Sequence, residues 1–402
     1  CIVEPGVILD ELNRQLKPLG LWFPVDVSTS SRATIGGMAG NNSAGGRSIK
    51  YGIMRDNVLS ISTILSDASK AHFGLVKKGF NGLENIFPKL IKIAEKNQNE
   101  IQTRYPKVLR RVGGYNLDAL LPDTLASRPG SSGNEKDINL SHLIIGSEGT
   151  LAYSTSIELK LSSLPSPKIM ALCHFSTFYK AMDSAQHIVK LDPIAVELID
   201  NTMISLGRSI PLFSKTIDDF IINDPAALLV VEFAEDIWAD NLTKIKELKT
   251  LLKDTADNSQ NSIVIIEDQA SQNRISEMRK SGLNIMMSMK ESGKPVSFVE
   301  DCAVELTDLA NYTAGLTEIF EKYQTKGTWY AHASVGCLHV RPVLNMKLDQ
   351  DVKTMRAIAE ETFDLVAKYK GSHSGEHGDG IVRSEFHTKM FGKRLVNTFK
   401  EI

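Results

Sequence analysis

The chain has 402 residues, 42% hydrophobic and 23% charged, with 46 Lys plus Arg against 48 Asp plus Glu and a formal net charge of -2. That length exceeds what one hydrophobic core usually supports, so two domains are expected, and this composition excludes a disordered or fibrous chain. Near-neutral charge leaves no global field for a polyanion and argues against nucleic acid as a partner, while no apolar run is long enough to span a bilayer.

In chain order, residues 7–19 carry apolar side chains at helical spacing and stop at Pro18 and Gly20, which predicts a short amphipathic helix. Residues 21–52 are rich in Gly, Ser, Thr and Asn, and read as a loop that something else must order. Residues 58–65 read as a buried strand and 89–105 as an amphipathic surface helix. The basic run at 107–111 reads as a solvated helix end or a local anion contact; it lacks the interleaved aromatics of a single-strand-binding surface. A polar loop is expected at 122–139, a Gly-bearing turn at Gly146-Ser147-Glu148-Gly149-Thr150, and a strand at 157–161.

The segment 163–168 breaks any regular element and marks a domain boundary. Beyond it, strands at 227–233 and 262–267 alternate with helices near 241–253 and 272–287, a pattern that suits a mixed sheet with helices on one face. Strands at 328–332 and 338–342, a helix at 351–369 and a Gly-rich turn at 371–380 follow. Five of the nine histidines fall from His332 onward, so imidazole chemistry is sought there. Four scattered cysteines without a CxxC pair argue against a disulfide framework and for a reducing compartment, the cytoplasm, free or peripheral to the inner membrane.

The run TIGGMAGNNSAGGR from Thr34 to Arg47 lets a backbone approach a ligand closely and turn its amides toward a pyrophosphate. Such loops also serve as plain tight turns, and this one has neither the Walker ending nor the strand-to-helix context of a dinucleotide fingerprint. His332 and His339, with Glu376-His377-Gly378, suit a divalent metal such as zinc or manganese; alone they are equally a hydrogen-bonded polar interior.

Phe23-Pro24-Val25-Asp26, Thr34-Ile35-Gly36-Gly37, Asn41-Asn42-Ser43-Ala44-Gly45-Gly46, Tyr51-Gly52, Arg55-Asp56, Gly114-Tyr115-Asn116-Leu117 and Gly146-Ser147-Glu148-Gly149-Thr150-Leu151 resemble, in that order, the FAD-binding domain of vanillyl-alcohol oxidase type flavoproteins. The likeness extends over nearly the whole chain to the branch of glycolate oxidases, D-lactate dehydrogenases and D-2-hydroxyglutarate dehydrogenases. It implies an α+β, two-domain FAD-binding fold with a mixed-sheet and helix substrate cap: FAD domain 1–164, cap 165–369, and a C-terminal segment 370–402 returning to the FAD domain. The chain opens on Cys1 rather than Met and closes inside a helical run, so a piece of a longer protein is expected, with a further segment of the FAD domain ahead of it.

The resemblance implies that Pro24, Val25, Ser30, Thr34, Gly36, Gly37, Asn41, Ser43, Ala44, Gly45 and Tyr51 line FAD, with Glu148 and Gly149 near its other side. It implies His332, His339 and Glu376 as metal ligands, His377 as general base and Arg279 as the cation for a substrate carboxylate; Arg341 and Arg383 are additional candidates because guanidinium binds carboxylate in bidentate fashion, with Lys294 behind them. Between the two histidines stands Ala333-Ser334-Val335-Gly336-Cys337-Leu338, where many members have Gly-Asp-x-Asn. This departure, with His339-Val340-Arg341-Pro342, Val299-Glu300-Asp301 and Gly378-Asp379-Gly380, resembles the large bacterial D-2-hydroxyglutarate dehydrogenases that fuse this core to an iron-sulfur domain. An FAD-dependent dehydrogenase of a small D-2-hydroxy acid, passing electrons to an iron-sulfur domain or protein, is therefore expected. The alternatives are an FAD-dependent oxidase of another alcohol without a catalytic metal, a metal-dependent hydrolase, and a non-catalytic assembly domain.

Overall fold

Two separate sheets, each with its own core, organise the chain. The computed structural model describes residues 1–79, 81–122, 138–253 and 262–402, so most of the polar loop expected at 122–139 lies outside the described residues. The first sheet runs Ile2–Val3, Tyr153–Leu159, Val58–Ile64, Lys70–Phe73, antiparallel throughout. The helix Leu9–Leu16 buries Leu9, Leu12 and Leu16 in this core and ends through Lys17–Leu19 at Gly20, whose φ of 71° is left-handed. The helix His387–Glu401 returns to the same core with Phe391 and Leu395. Burying a Phe of this kind contributes roughly 1.5–3 kcal/mol.

The second sheet has eight strands: Ile263–Ile266, Ile169–Phe175, Ala227–Phe233, Ala195–Asp200, Gly327–His332, Cys337–Leu344 and Lys294–Pro295 in order, with Cys302–Ala303 also paired on Cys337–Leu344. Every one of these pairings is antiparallel, where mixed strand directions were expected. Helices also cover both faces rather than one. Ile169, Ala171, Cys173 and Phe175 pack toward Phe178–Ile188, Leu309–Lys322 and Asp349–Lys368. Met170 and Leu172 pack toward Asn201–Arg208, Pro211–Phe220 and Gln269–Lys280. Side chains alternate across a strand, so a strand covered on both sides is apolar at nearly every position, as ALLVVEF is apart from Glu232, and it is buried at all 7 positions.

Two helical readings are broken by caps. The run at 89–105 forms Phe87–Lys96 and Gln98–Arg104, meeting at Asn97, and that at 272–287 forms Gln269–Lys280 and Gly282–Met287, meeting at Ser281. The loop at 21–52 contains a helix, Ile35–Asn41, that buries Ile35, Met38 and Ala39. The Thr34 side chain caps it by accepting from the Gly37 N–H, and local capping supplies the order that composition did not suggest. The run at 107–111 is not helical, and although Lys107 and Leu109 are exposed, its two arginines are not solvated: Arg110 is wholly buried, and Arg111 pairs with Asp118 at 2.8 Å. The anion-contact alternative holds there.

Candidate active site

Strand register builds the first half of the site. His332 lies directly across from Glu197, and His339 directly across from Tyr330, so Glu197, His332, His339 and Arg341 share one face of the second sheet. The tight connection between the histidine strands turns at Gly336, with φ of 66°, where an added Cβ would lie 2.1 Å from the Val304 carbonyl oxygen. No side chain fits there.

The second half comes from the turn at 371–380. Asp301, wholly buried, accepts from the backbone N–H groups of Glu376 (2.8 Å) and His377 (2.8 Å), from that of Gly375 (3.1 Å) and from Ser374 Oγ (3.0 Å). One carboxylate thus gathers successive donors and fixes the turn. The result places Glu376 Oε2 3.1 Å from His332 Nε2 and Glu376 Oε1 3.5 Å from His339 Nε2.

The expected trio therefore converges, with one ligand atom from each residue inside a 4.8 Å group. Two imidazole nitrogens and one carboxylate oxygen fit a divalent ion with positions left open. His332 Nδ1 is 2.9 Å from Glu197 Oε1, the carboxylate behind the imidazole that orients metal-binding histidines and raises their basicity. His339 lies flat against Tyr330, ring centroids 4.7 Å apart, with Nδ1 buried and unpartnered.

Charge in the cluster is dense. Burial pushes His332 down, but Glu197 and Glu376 outweigh it and raise it to about 9. Burial drives His339 well below the ordinary histidine value, so its ring stays neutral. Burial pushes Glu376 up, yet His332 and His339 hold it well below the usual carboxylate range. His377, 36% exposed in its side chain, stacks on His339 at 5.1 Å and sits 3.3 Å from Glu300 through Nδ1. Burial lowers it, but Asp301, Glu300 and Glu376 together raise it to about 11.

The three predicted arginines separate. Arg279 reaches the cluster, bonded to Glu197 and 3.1 Å from His332 Nδ1. Arg341 pairs with Glu300 on the same sheet face. Arg383 is spent on interior carbonyls, those of Gly378 (3.0 Å) and Glu300 (2.9 Å). Lys294 donates to the Met289 carbonyl. A cavity of about 470 Å³ opens between Gly46 and Arg47 on one side and Glu197, Glu232, Ser276 and Arg279 on the other.

The Gly-rich loop meets this site. Asn41 Nδ2 donates to the Glu376 carbonyl at 2.6 Å and to Ser43 Oγ at 3.1 Å. Glu148 accepts from the backbone N–H groups of Asp379 (2.8 Å) and Gly380 (3.0 Å). Pro24, Val25, Ala44 and Gly45 are buried, Ser30 lies on a turn, and Tyr51 stands edge-on to Trp22 at 5.3 Å. Gly36 is explained by packing, since a Cβ there would lie 2.5 Å from Pro5 Cβ. Gly149 is exposed, with open space where a Cβ would be, and its left-handed φ of 76° accounts for a glycine there.

Sequence reasoning gave no site role to Arg110, Glu197, Glu300 or Asp301. Arg110 is the most informative of these: its guanidinium contacts Glu376 Oε2 at 2.9 Å, Ser48 Oγ at 2.8 Å and the Gly45 carbonyl. It joins the Gly-rich loop to the proposed metal ligand. An acid in the middle of the apolar run AVELI was the available signal for Glu197.

Comparison with known proteins fixes the family. The profile of the FAD-linked oxidase C-terminal domain matches residues 164–402, and that of an FAD-binding domain matches residues 1–73. The chain belongs to the FAD-linked oxidases. Among family members, it is 29% identical over 414 residues to the D-2-hydroxyglutarate dehydrogenase of Escherichia coli (strain K12), with 100% of this chain and 40% of that protein covered. It is 24% identical over 404 residues to the glycolate oxidase subunit GlcD of Bacillus subtilis (strain 168), covering 100% of this chain and 71% of that one. The fold is shared with 4-ethylphenol oxidase from Gulosibacter chungangensis, with a TM-score of 0.60 at 10% identity over 99% of this chain and 72% of the other. The chain spans about two-fifths of the length of the D-2-hydroxyglutarate dehydrogenases it matches, 40% for the Escherichia coli protein. Family membership leaves the hydrolase alternative without support. Among the described residues no helix is long and apolar enough to cross a membrane.

Proposed function

We propose that the chain is the flavin- and substrate-binding core of a dehydrogenase that oxidises a small D-2-hydroxy acid to the 2-oxo acid, with a divalent metal, zinc or manganese, at His332, His339 and Glu376. The convergence of those three side chains beside Arg279 and the Gly-rich loop carries this reading. In it, residues 1–164 with 370–402 form the FAD unit and 165–369 the substrate cap, supported by Phe391 and Leu395 in the first core. An iron-sulfur acceptor in the cytoplasm is part of the same proposal, which rests there on the sequence likeness at 299–301, 339–342 and 378–380.

Bound FAD would supply the hydride-accepting redox chemistry for oxidation at C2 of the substrate. A divalent cation held by His332, His339 and Glu376 would supply Lewis acidity to the substrate and would offset the carboxylate charge that raises His377. The chain's own residues do the rest. Arg279 offers a bidentate guanidinium to the substrate carboxylate at the cavity wall. His377, anchored through Nδ1 to Glu300, takes the hydroxyl proton on Nε2. Arg341 and Arg383 hold Glu300 and the turn in place, so they set the position of His377.

The test is oxidation of a panel of D- and L-2-hydroxy acids by the flavin-loaded full-length protein with a dye acceptor. One enantiomeric series is consumed, and His377→Ala retains flavin but loses most turnover. Equal rates on both enantiomers, or wild-type rates in the variant, defeat the proposal.

A further inference from the structure

A second imidazole and carboxylate cluster lies outside this site. His373, Asp379 and His387 bring one ligand atom each inside a 4.8 Å group, from the turn at 371–380 and the N-terminus of the helix His387–Glu401. His373 is 2% and Asp379 6% exposed. His387 Nε2 approaches Asp379 Oδ2 at 2.5 Å, and the Gly114 N–H donates to the same oxygen at 2.9 Å.

The protons on His373 decide what this cluster is. Its Nδ1 lies 3.2 Å from Met390 Sδ. A thioether only accepts, so that contact is favourable when Nδ1 carries the hydrogen. In the neutral ring Nε2 then presents a lone pair, and it faces Asp379 Oδ1 at 3.0 Å. Two electron-rich atoms this close, both buried, require a positive centre. A proton shared between them would make an ion pair across that distance, yet neither atom has a hydrogen-bond partner of regular geometry. A metal ion bound between them, about 2.0–2.1 Å from the nitrogen, forms its own bond to the oxygen and needs no such geometry.

We infer that His373, Asp379 and His387 form a second divalent-metal site, of the zinc and manganese class, that pins the C-terminal helix to the turn carrying His377. Its ligands, two imidazoles and a carboxylate without thiolate, are those of a borderline first-row cation. Its place is structural. One ion would join the turn, the Gly114 segment through Asp379, and the helix that supplies Phe391 and Leu395 to the first core.

The test is elemental analysis of the full-length protein equilibrated with zinc and dialysed, for wild type, His339→Gln and His387→Gln. Two equivalents per chain are expected in wild type and one in each variant. Loss of a single wild-type equivalent in His387→Gln but not in His339→Gln supports the inference and removes the metal from the proposed function. Loss only in His339→Gln, or full metal content in His387→Gln, overturns the inference and leaves the first site standing. If His387→Gln does not fold, His373→Gln is read the same way.

Discussion

Arg110 is the side chain whose removal most sharply separates the roles of charge at the site. It is wholly buried, and its guanidinium neutralises Glu376 while bonding Ser48 and the Gly45 carbonyl. Arg110→Met keeps an unbranched, adaptable side chain of similar length, but leaves Glu376, only 15% exposed in its side chain, short of a partner. Breaking a buried ion pair from one side costs about 3–5 kcal/mol, mostly from the charge left behind. In chelator, urea unfolding is expected to show that loss as a lower midpoint with an unchanged slope. A cation at His332, His339 and Glu376 opposes the same stranded charge, so excess zinc should narrow the gap between variant and wild type by at least about 1 kcal/mol, on top of the mass-action stabilisation both share. A loss below about 1 kcal/mol in chelator, or a gap that zinc does not narrow, would refute the reasoning.

Two further outcomes follow from the geometry. Gly45→Ala puts a methyl group 2.1 Å from Asp26 Oδ1 and 2.4 Å from the Asp26 carbonyl oxygen, so the loop must move; the full-length variant is expected to lose flavin on purification, and a wild-type flavin spectrum would contradict the loop's role. Asp200, buried and pushed up to about 6 mainly by desolvation against the hydrogen bonds from Met203 and Trp329, binds its proton more tightly folded than unfolded. Stability from that group is complete below about pH 4 and falls by about 3 kcal/mol as pH rises through about 6. The difference in unfolding free energy between wild type and Asp200→Asn measures it, and a difference that is flat or rises with pH counts against it.

Much of the fold was readable because burial writes itself into composition. The strand Ala227–Phe233 is apolar at nearly every position since helices lie on both sides, and its bounds match the sequence reading. The same continuous run carries no information about strand direction or about how many faces are covered, and those readings needed correction. At the site, His332, His339 and Glu376 were legible through family motifs, but their partners were not. Glu197 meets His332 only because the two strands pair in that register, and Arg110 reaches Glu376 across 266 residues. Local patterns do not encode long-range pairings, so a buried arginine in KVLRR looks like any basic run until its neighbours are placed.

In the proposed reaction, two imidazoles and one carboxylate hold an ion that the oxidation of a 2-hydroxy acid requires. Turnover of a D-2-hydroxy acid by the flavin-loaded full-length protein, measured before chelation, after it and after zinc or manganese is restored, tests this most directly. The rate should collapse on chelation with flavin retained and return with the metal; a rate indifferent to chelation would contradict the account.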